Sequence, residues 1–268
     1  MNFDWGFFWG ALFTPSDRFL DGLTLTIVIS AVAMVCAFVL GLVVALMGRS
    51  SFLPFTILAS LYIWVVRGTP LLVQLVIIYT GLAAAGLYRF EDADFAGIVI
   101  QGAVQAAIIG LALNESAYVA EIVRSGLESV ERGQHEAALS LGMTPGGAMR
   151  RVIVPQAIRI MVPPLGNSFN QLMKQTSILS IIGVSEMFQV GTIISSASFR
   201  VFEIYIVVAI YYLLLTTIWT IIQAKIENVL NARAGLPKAE PIYKRLFGVR
   251  PKRMTKLEMQ QQLTAAKG

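Results

Sequence analysis

Arg67 sits inside the apolar run from Phe55 to Ala85 and is followed at once by Gly68, Thr69 and Pro70. An unpaired charge near mid-bilayer costs ~2.5–3.5 kcal/mol on insertion scales, so a guanidinium here needs a partner or a wet cavity. Pro70 has no amide hydrogen, which leaves the Val66 carbonyl without its helical donor and predicts a kink. Gly68 permits close backbone approach. The chemistry on offer is capture of an amino-acid carboxylate by Arg67, helped by freed backbone groups. A structural salt bridge to Glu121 or Glu115, or snorkelling to the inner surface, would use the same side chain differently. The sequence leaves these readings open.

A second polar group is helical. Asn114, Tyr118 and Glu121 are spaced i, i+4 and i+7, hence on one face, with Glu115 beside them. Asn114 and Tyr118 can hydrogen-bond a zwitterion, and a glutamate can receive its ammonium group. Glu121 and Arg124, at i and i+3, also suit a simple ion pair, the reading favoured for Glu121. Asn114 and Glu115, placed deeper, are then the better site candidates. Asn167, Asn170 and Gln171, followed by Lys174 to Ser177, form a third polar run that either lines a pathway or caps and joins two half-helices. Small residues such as Gly41, Ala45, Gly102 and Ala106 predict close helix packing. No Gly-Lys dipeptide is present for a phosphate-cradling loop, nor a nucleophile elbow, an HExxH or a His/carboxylate cluster. The lone His135 lacks metal partners, and the single Cys36 excludes an internal disulfide. No catalytic residue, metal site or cofactor is expected in this chain.

These groups must be positioned by membrane helices. Hydrophobic residues make up 56% of the 268 and charged residues 14%, and the mean hydropathy is +0.69. Soluble domains carry roughly 25% charged residues, so the chain reads as an all-α integral membrane protein. Five spans can be drawn. Leu23 to Met47 is long enough for a hydrocarbon core of about 30 Å. Phe55 to Ala85 is a second span, interrupted by Arg67 and Pro70, and Phe95 to about Val123 a third. The fourth lies between Ile158 and Ser198. Pro163-Pro164 and Gly183 break it, Ile178 to Val184 is its most apolar stretch, and a re-entrant piece is tolerable only if buried or lining a cavity. Tyr205 to about Ile222 is the last.

Basic residues orient the spans. Arg49, the arginines from Arg124 to Arg159 and the lysines and arginines from Lys225 to Lys267 fall on one side, and Arg18, Arg89 and Arg200 on the other. The positive-inside rule then puts the N-terminus outside, the C-terminus inside and the acidic Glu91-Asp92-Ala93-Asp94 turn outside. Residues 1–21 read as an external segment without a basic signal-peptide start, with Trp5, Phe7, Phe8 and Trp9 as interfacial anchors. Residues 22–228 form the membrane domain, and residues 229–268 a basic cytosolic tail. Pro237, Pro241 and Pro251 make that tail an extended arm ending in the helical-looking Lys256 to Ala266. Topology and anionic inner-leaflet lipid account for the net charge of +5, so no nucleic-acid partner is implied.

Within the membrane domain one polar segment, about residues 126–157, lies on the inner side. Glu136 to Leu141 is a helix-forming run that Gly142 can end in the left-handed conformation. Thr144 then caps a second helix with Pro145 as its first residue, and Pro155 is expected to limit it. An ordered helix–turn–helix between spans predicts a docking surface for a cytosolic partner.

The same segment resembles the EAA loop of ABC importer permeases: Glu136-Ala137-Ala138, three residues, Gly142, nine residues, then Val152-Ile153-Val154-Pro155. Val152 and Val154 replace the pattern's Ile and Leu, apolar for apolar. The strings Arg67 to Gln74, Ala117 to Arg124 and Pro164 to Asn167 are similar to those of the polar amino-acid (histidine/glutamine-type) permeases, and the likeness runs from about Gly22 to Ala224. The resemblance implies the transmembrane domain of a type I ABC importer in a bacterial cytoplasmic (inner) membrane, carrying a polar amino acid. It further implies a second permease chain, identical or related, a pair of cytosolic ATPases that hold ATP and Mg, and an external substrate-binding protein. Glu136, Ala137, Ala138, Leu139 and Leu141 would enter the ATPase groove, with Gly142 fixing the bend, Arg150 or Arg151 meeting acidic ATPase residues, and Pro155 closing the motif. Arg67, Gly68, Thr69, Pro70, Asn114, Glu115, Tyr118, Asn167 and Gln171 would be the substrate candidates. Alternative cargoes are an opine, cystine, a dicarboxylic amino acid or another small polar solute. A transporter or channel independent of an ATPase is the rival of a different class.

Overall fold

The computed structural model describes residues 3–95 and 97–232. The extended tail with Pro237, Pro241, Pro251 and Lys256 to Ala266 lies outside the described residues. The chain divides into two compact units. Residues up to Trp219 form the first; the second begins at Thr220 and is described only through Ala232.

A short helix α1 (Trp5–Phe13) leads into α2 (Asp17–Gly48), α3 (Leu53–Gly68) and α4 (Leu71–Val76). A π turn (Ile77–Gly81) joins α4 to α5 (Leu82–Ala84), and two strands, β1 (Ala93–Phe95) and β2 (Ile98–Ile100), precede α6 (Gly102–Glu128). Next come α7 (Arg132–Ser140), α8 (Pro145–Ala148), a second π turn (Met149–Ile153) and α9 (Val154–Gln175). A 3₁₀ segment (Thr176–Ile182), α10 (Met187–Ser198) and α11 (Val201–Ala232) complete the order. Among the described residues, three helices, α2, α6 and α11, are long and apolar enough to cross a membrane; two bent helix pairs bring the total to five if each counts as one span.

The structure corrects the expected boundaries in four places. The second span is not one kinked helix: α3 and the α4–α5 pair meet at 104°. Thr69 and Pro70 are both extended, and Pro70 cannot donate to Val66, so the helix stops instead of bending. The third span starts at Gly102 instead of Phe95, because residues 93–100 form an antiparallel hairpin pairing Ala93 with Ile100 and Asp94 with Val99. The β-branched Ile98-Val99-Ile100 suits a strand. Gly97 takes φ 86° in the turn, with its amide on Asp94 Oδ1 at 2.8 Å. Pro155 does not limit the helix that Thr144 starts. The π turn at Met149–Ile153 shifts the hydrogen-bond register just before it, and the helix continues to Gln175. Pro163 and Pro164 lie inside α9 without ending it, as membrane helices tolerate where neighbours satisfy the freed carbonyls. The fourth span breaks later, at Gly183, whose φ is 81°.

Two arrangements hold the first unit together. The first is contact through small residues: a Cβ on Gly41 of α2 would lie 2.7 Å from the Ser116 carbonyl and from Val119 of α6, so the backbones touch. Ile29, Ala33, Leu75, Leu111, Leu172 and Leu179 fill the core beside that seam. The second is a buried carboxylate. Glu186, with 0% of its surface exposed, caps α10 by accepting the amides of Phe188 at 3.0 Å and Gln189 at 2.8 Å. The Tyr212 hydroxyl of α11 donates to it at 3.0 Å, and Thr26 of α2 lies at 3.4 Å. Three helices thus converge on one side chain.

Gly41→Val should force α2 and α6 apart, at a cost of about 1–3 kcal/mol. It is expected to lower the thermal unfolding midpoint in detergent clearly. Gly48→Ala, whose Cβ would meet Ala59 at an ordinary 3.8 Å, should leave it unchanged.

Candidate functional site

The helix break at Gly68 is repaired by Gln74, one turn into α4. Its side-chain amide donates to the Val66 carbonyl at 2.8 Å, the Thr69 carbonyl at 3.2 Å and Thr69 Oγ1 at 2.7 Å. Val66 is the carbonyl that Pro70 leaves without a backbone donor, so a side chain replaces the missing N–H. The Gln74 carbonyl oxygen in turn accepts from Asn114 Nδ2 of α6 at 3.0 Å. Asn114 is buried, and this bond engages it in holding Gln74. Gln74 stood in the sequence string but was not singled out there; the signal was a side-chain donor four residues after Pro70.

Arg67 is held beside this break. Its Nη1 lies 3.7 Å from Glu121 Oε2, and its guanidinium carbon lies 5.4 Å from the Tyr118 ring centroid. The first distance is an ion pair too long for a hydrogen bond, and the second is within cation–π range. Glu121 also holds Arg124 at 2.9 Å, and Arg124 reaches Glu128 at 3.0 Å. Of the partners expected for Arg67, the structure selects Glu121 and not Glu115. Glu115 is buried on the α6 side that packs near Ser168 of α9. The Arg67 side chain remains 44% exposed. Gly68 is uncrowded, with nothing within 4 Å of a Cβ built there.

Asn167 and Gln171 lie one turn apart on α9 and are exposed, as are Pro164 and Lys174 on the same stripe. The side chains of Asn167 and Gln171 make no hydrogen bond with another described residue. The structure therefore brings Arg67, Thr69, Asn114 and Tyr118 into one cluster through Gln74 and Glu121. Glu115 stands apart from it, on the α6 side that packs near α9.

The polar helix–turn–helix is built as its local sequence predicts. α7 ends in a Schellman arrangement: the Gly142 amide donates to Leu139 at 2.9 Å and the Met143 amide to Ala138 at 3.1 Å, with Gly142 at φ 83°. Thr144 Oγ1 accepts the Gly147 amide at 3.2 Å, and Pro145 is the first residue of α8. Ala138 and Ala148 are buried, while Glu136, Ala137, Leu139 and Pro155 are exposed. Leu141 is 85% exposed, beside a cleft of about 780 Å³ that Gly142, Thr144, Arg150 and Arg151 also line. Among the described residues no group of three or more His, Cys, Asp or Glu is placed to hold a metal ion.

Long apolar helices, helix breaks repaired by side chains and an ordered polar helix–turn–helix define a multi-pass α-helical membrane protein. The chain belongs to the family of binding-protein-dependent transport system inner membrane components, which matches residues 37–230. It is 41% identical over 223 residues to a probable amino-acid permease protein, YxeN, of Bacillus subtilis, covering 83% of this chain and 96% of that one. The glutamine transport system permease protein GlnP of Escherichia coli is 34% identical over 228 residues, with 85% and 98% covered. Among solved structures, an amino acid ABC transporter crystallised with histidines matches with TM-score 0.73 at 40% identity, over 85% of this chain and 99% of that chain. The fold is the transmembrane domain of type I ABC importers, and members of this family are transport subunits.

Gln74→Leu should leave the Val66 and Thr69 carbonyls without a donor, at about 1–3 kcal/mol. The unfolding midpoint is expected to fall in Gln74→Leu and, to a smaller extent, in Asn114→Leu. The double variant should fall no further than Gln74→Leu alone, since Asn114 acts through Gln74; additive losses would show that the two amides work independently.

Proposed function

We propose that this chain is the permease subunit of an ATP-driven importer that moves a polar amino acid across the bacterial cytoplasmic membrane. The observation that carries the reading is the helix–Gly–helix segment, which presents Leu141 in the open beside Arg150 and Arg151. An exposed leucine rimmed by arginines suits docking to a protein partner with an apolar groove and acidic edges. That partner is a cytosolic ATPase dimer, which supplies the ATP and Mg chemistry. The remaining partners are a second permease chain and an external binding protein that delivers the amino acid. The N-terminus lies outside and the C-terminus inside, with residues 22–228 as the membrane domain.

In this mechanism, closure of the ATPases draws together the segments carrying Glu136, Ala137, Ala138, Leu139 and Leu141. The rigid Gly142 hinge transmits the motion through the helix that continues past Pro155 into α9. Hydrolysis resets the spans. Arg67 meets the substrate carboxylate with the donors that Glu121 leaves free. Tyr118, Asn167 and Gln171 are exposed polar groups for the rest of the zwitterion. Asn114 acts through Gln74, which sets the Gly68-Thr69-Pro70 turn, and Glu115 packs near α9. The names of the relatives support an amino-acid cargo.

Proteoliposomes holding this chain with its ATPase and binding protein should accumulate one or a few amino acids from a labelled panel only when ATP is present. Leu141→Asp, at a site 85% exposed, should leave folding intact and cut both ATPase retention and uptake at least tenfold. Uptake that follows an ion gradient without ATP would reject the reading. Undiminished transport of carboxylate-free amines would remove the role given to Arg67.

A further inference from the structure

The junction of α1 and α2 carries a cleft whose lining includes no residue of the Arg67 cluster. α1 is nine residues, ~14 Å at 1.5 Å per residue, and so is too short to cross a bilayer. It is apolar all round. Phe8 packs against Phe19, Met187, Val190, Ile204 and Val207, while Trp5, Trp9 and Phe13 face outward. Their rings stack in sequence, with centroids 6.4 and 5.6 Å apart. A helix of this kind rests against hydrocarbon at the edge of the bilayer.

Between α1 and the α10–α11 pair opens a cleft of about 350 Å³, walled by Phe7, Ala11, Phe19, Ile194, Ile204 and Val207. Gly10 forms part of its wall, and a Cβ there would meet nothing within 4 Å. Sharing Ser16 and Ile194 with it is a second groove of about 620 Å³, which Arg18, Asp21, Ser185 and Ser198 also line. Both volumes fall in the roughly 300–1,000 Å³ range of small-ligand sites. Arg18 and Asp21 are three apart on the first turns of α2, a spacing that permits an ion pair. They form none, with each other or with another described residue, and both are exposed. An apolar slot thus opens beside one free cation and one free anion among the described residues.

We propose that the cleft and groove together bind one zwitterionic phospholipid with a primary-amine headgroup. An acyl chain fills the slot, the phosphate meets the Arg18 guanidinium, and the ammonium meets the Asp21 carboxylate. Guanidinium–phosphate pairing is planar and frequently bidentate, which fixes the headgroup. A single zwitterion matches both charges, whereas an anionic headgroup would leave Asp21 opposed and a choline headgroup has no N–H to donate.

The test is native mass spectrometry of the full purified chain in detergent, titrated separately with dioleoyl phosphatidylethanolamine, phosphatidylcholine and phosphatidylglycerol. One phosphatidylethanolamine per chain should be retained at least tenfold more tightly than either competitor. Gly10→Phe fills the slot and should abolish that retention; Arg18→Gln and Asp21→Asn should each erase the headgroup preference without filling it. A phosphatidylethanolamine with a diazirine in its acyl chain should crosslink to Phe7–Phe19 and Ile194–Val207. Unchanged retention in Gly10→Phe, no headgroup preference in the wild type, or crosslinks spread over the apolar faces of α2 and α11 would overturn the proposal. Loss of chain–chain association in Gly10→Phe with no change in lipid would overturn it too, and would give the cleft to a second protein chain.

Discussion

The constraint on which the rest depends is that a backbone carbonyl or amide in hydrocarbon has no water to turn to. Each place where a helix breaks must therefore find a donor or acceptor within the chain. At the α3–α4 break the donor is Gln74, and the freed Val66 carbonyl is served at 2.8 Å. At the start of α10 it is the Glu186 carboxylate that takes the amides of Phe188 and Gln189. Both side chains reach a second helix as well, Asn114 of α6 in one case and Tyr212 of α11 in the other. A local deficit of hydrogen bonds thereby becomes a link between distant helices.

That linkage shapes the polar cluster. Arg67 lies one residue before the Gly68 break and is kept near Glu121 and Tyr118 by the same turn that Gln74 closes. Its charge is balanced on one side and open on the other. A fully paired arginine would be inert, and a fully free one would be costly in a membrane. The side chain is thus anchored by Glu121 and Tyr118 while 44% of it stays exposed.

The polar helix–turn–helix follows a different logic, because it is built almost wholly from neighbours in sequence. Leu139, Ala138, Gly142 and Met143 close one turn, and Thr144 with Pro145 opens the next. Such a unit needs little from the membrane domain to form. Its second helix does not stop at Pro155, so the segment and α9 are one continuous mechanical element joined through a π turn.

Much of this was legible in the residues. Composition marked the membrane class, and the Gly142, Thr144 and Pro145 roles could be read because capping depends on residues within four positions. The Glu121–Arg124 pair was legible for the same reason. The hairpin at 93–100 was hidden in a stretch apolar enough to pass for the start of a span, since apolarity alone does not separate strand from helix. Pro155 and Pro163-Pro164 were read as stops because proline penalises a helix locally, and only packing decides whether the penalty is met. By itself, then, the sequence determined the helical membrane class, the caps around Gly142 and Thr144, and the surplus of polar groups in an apolar chain. The tertiary structure alone decided which groups meet across different helices. Gln74 and Thr26, which Asn114 and Glu186 meet on other helices, stand 40 and 160 positions away along the chain, and no local propensity encodes contacts at that separation.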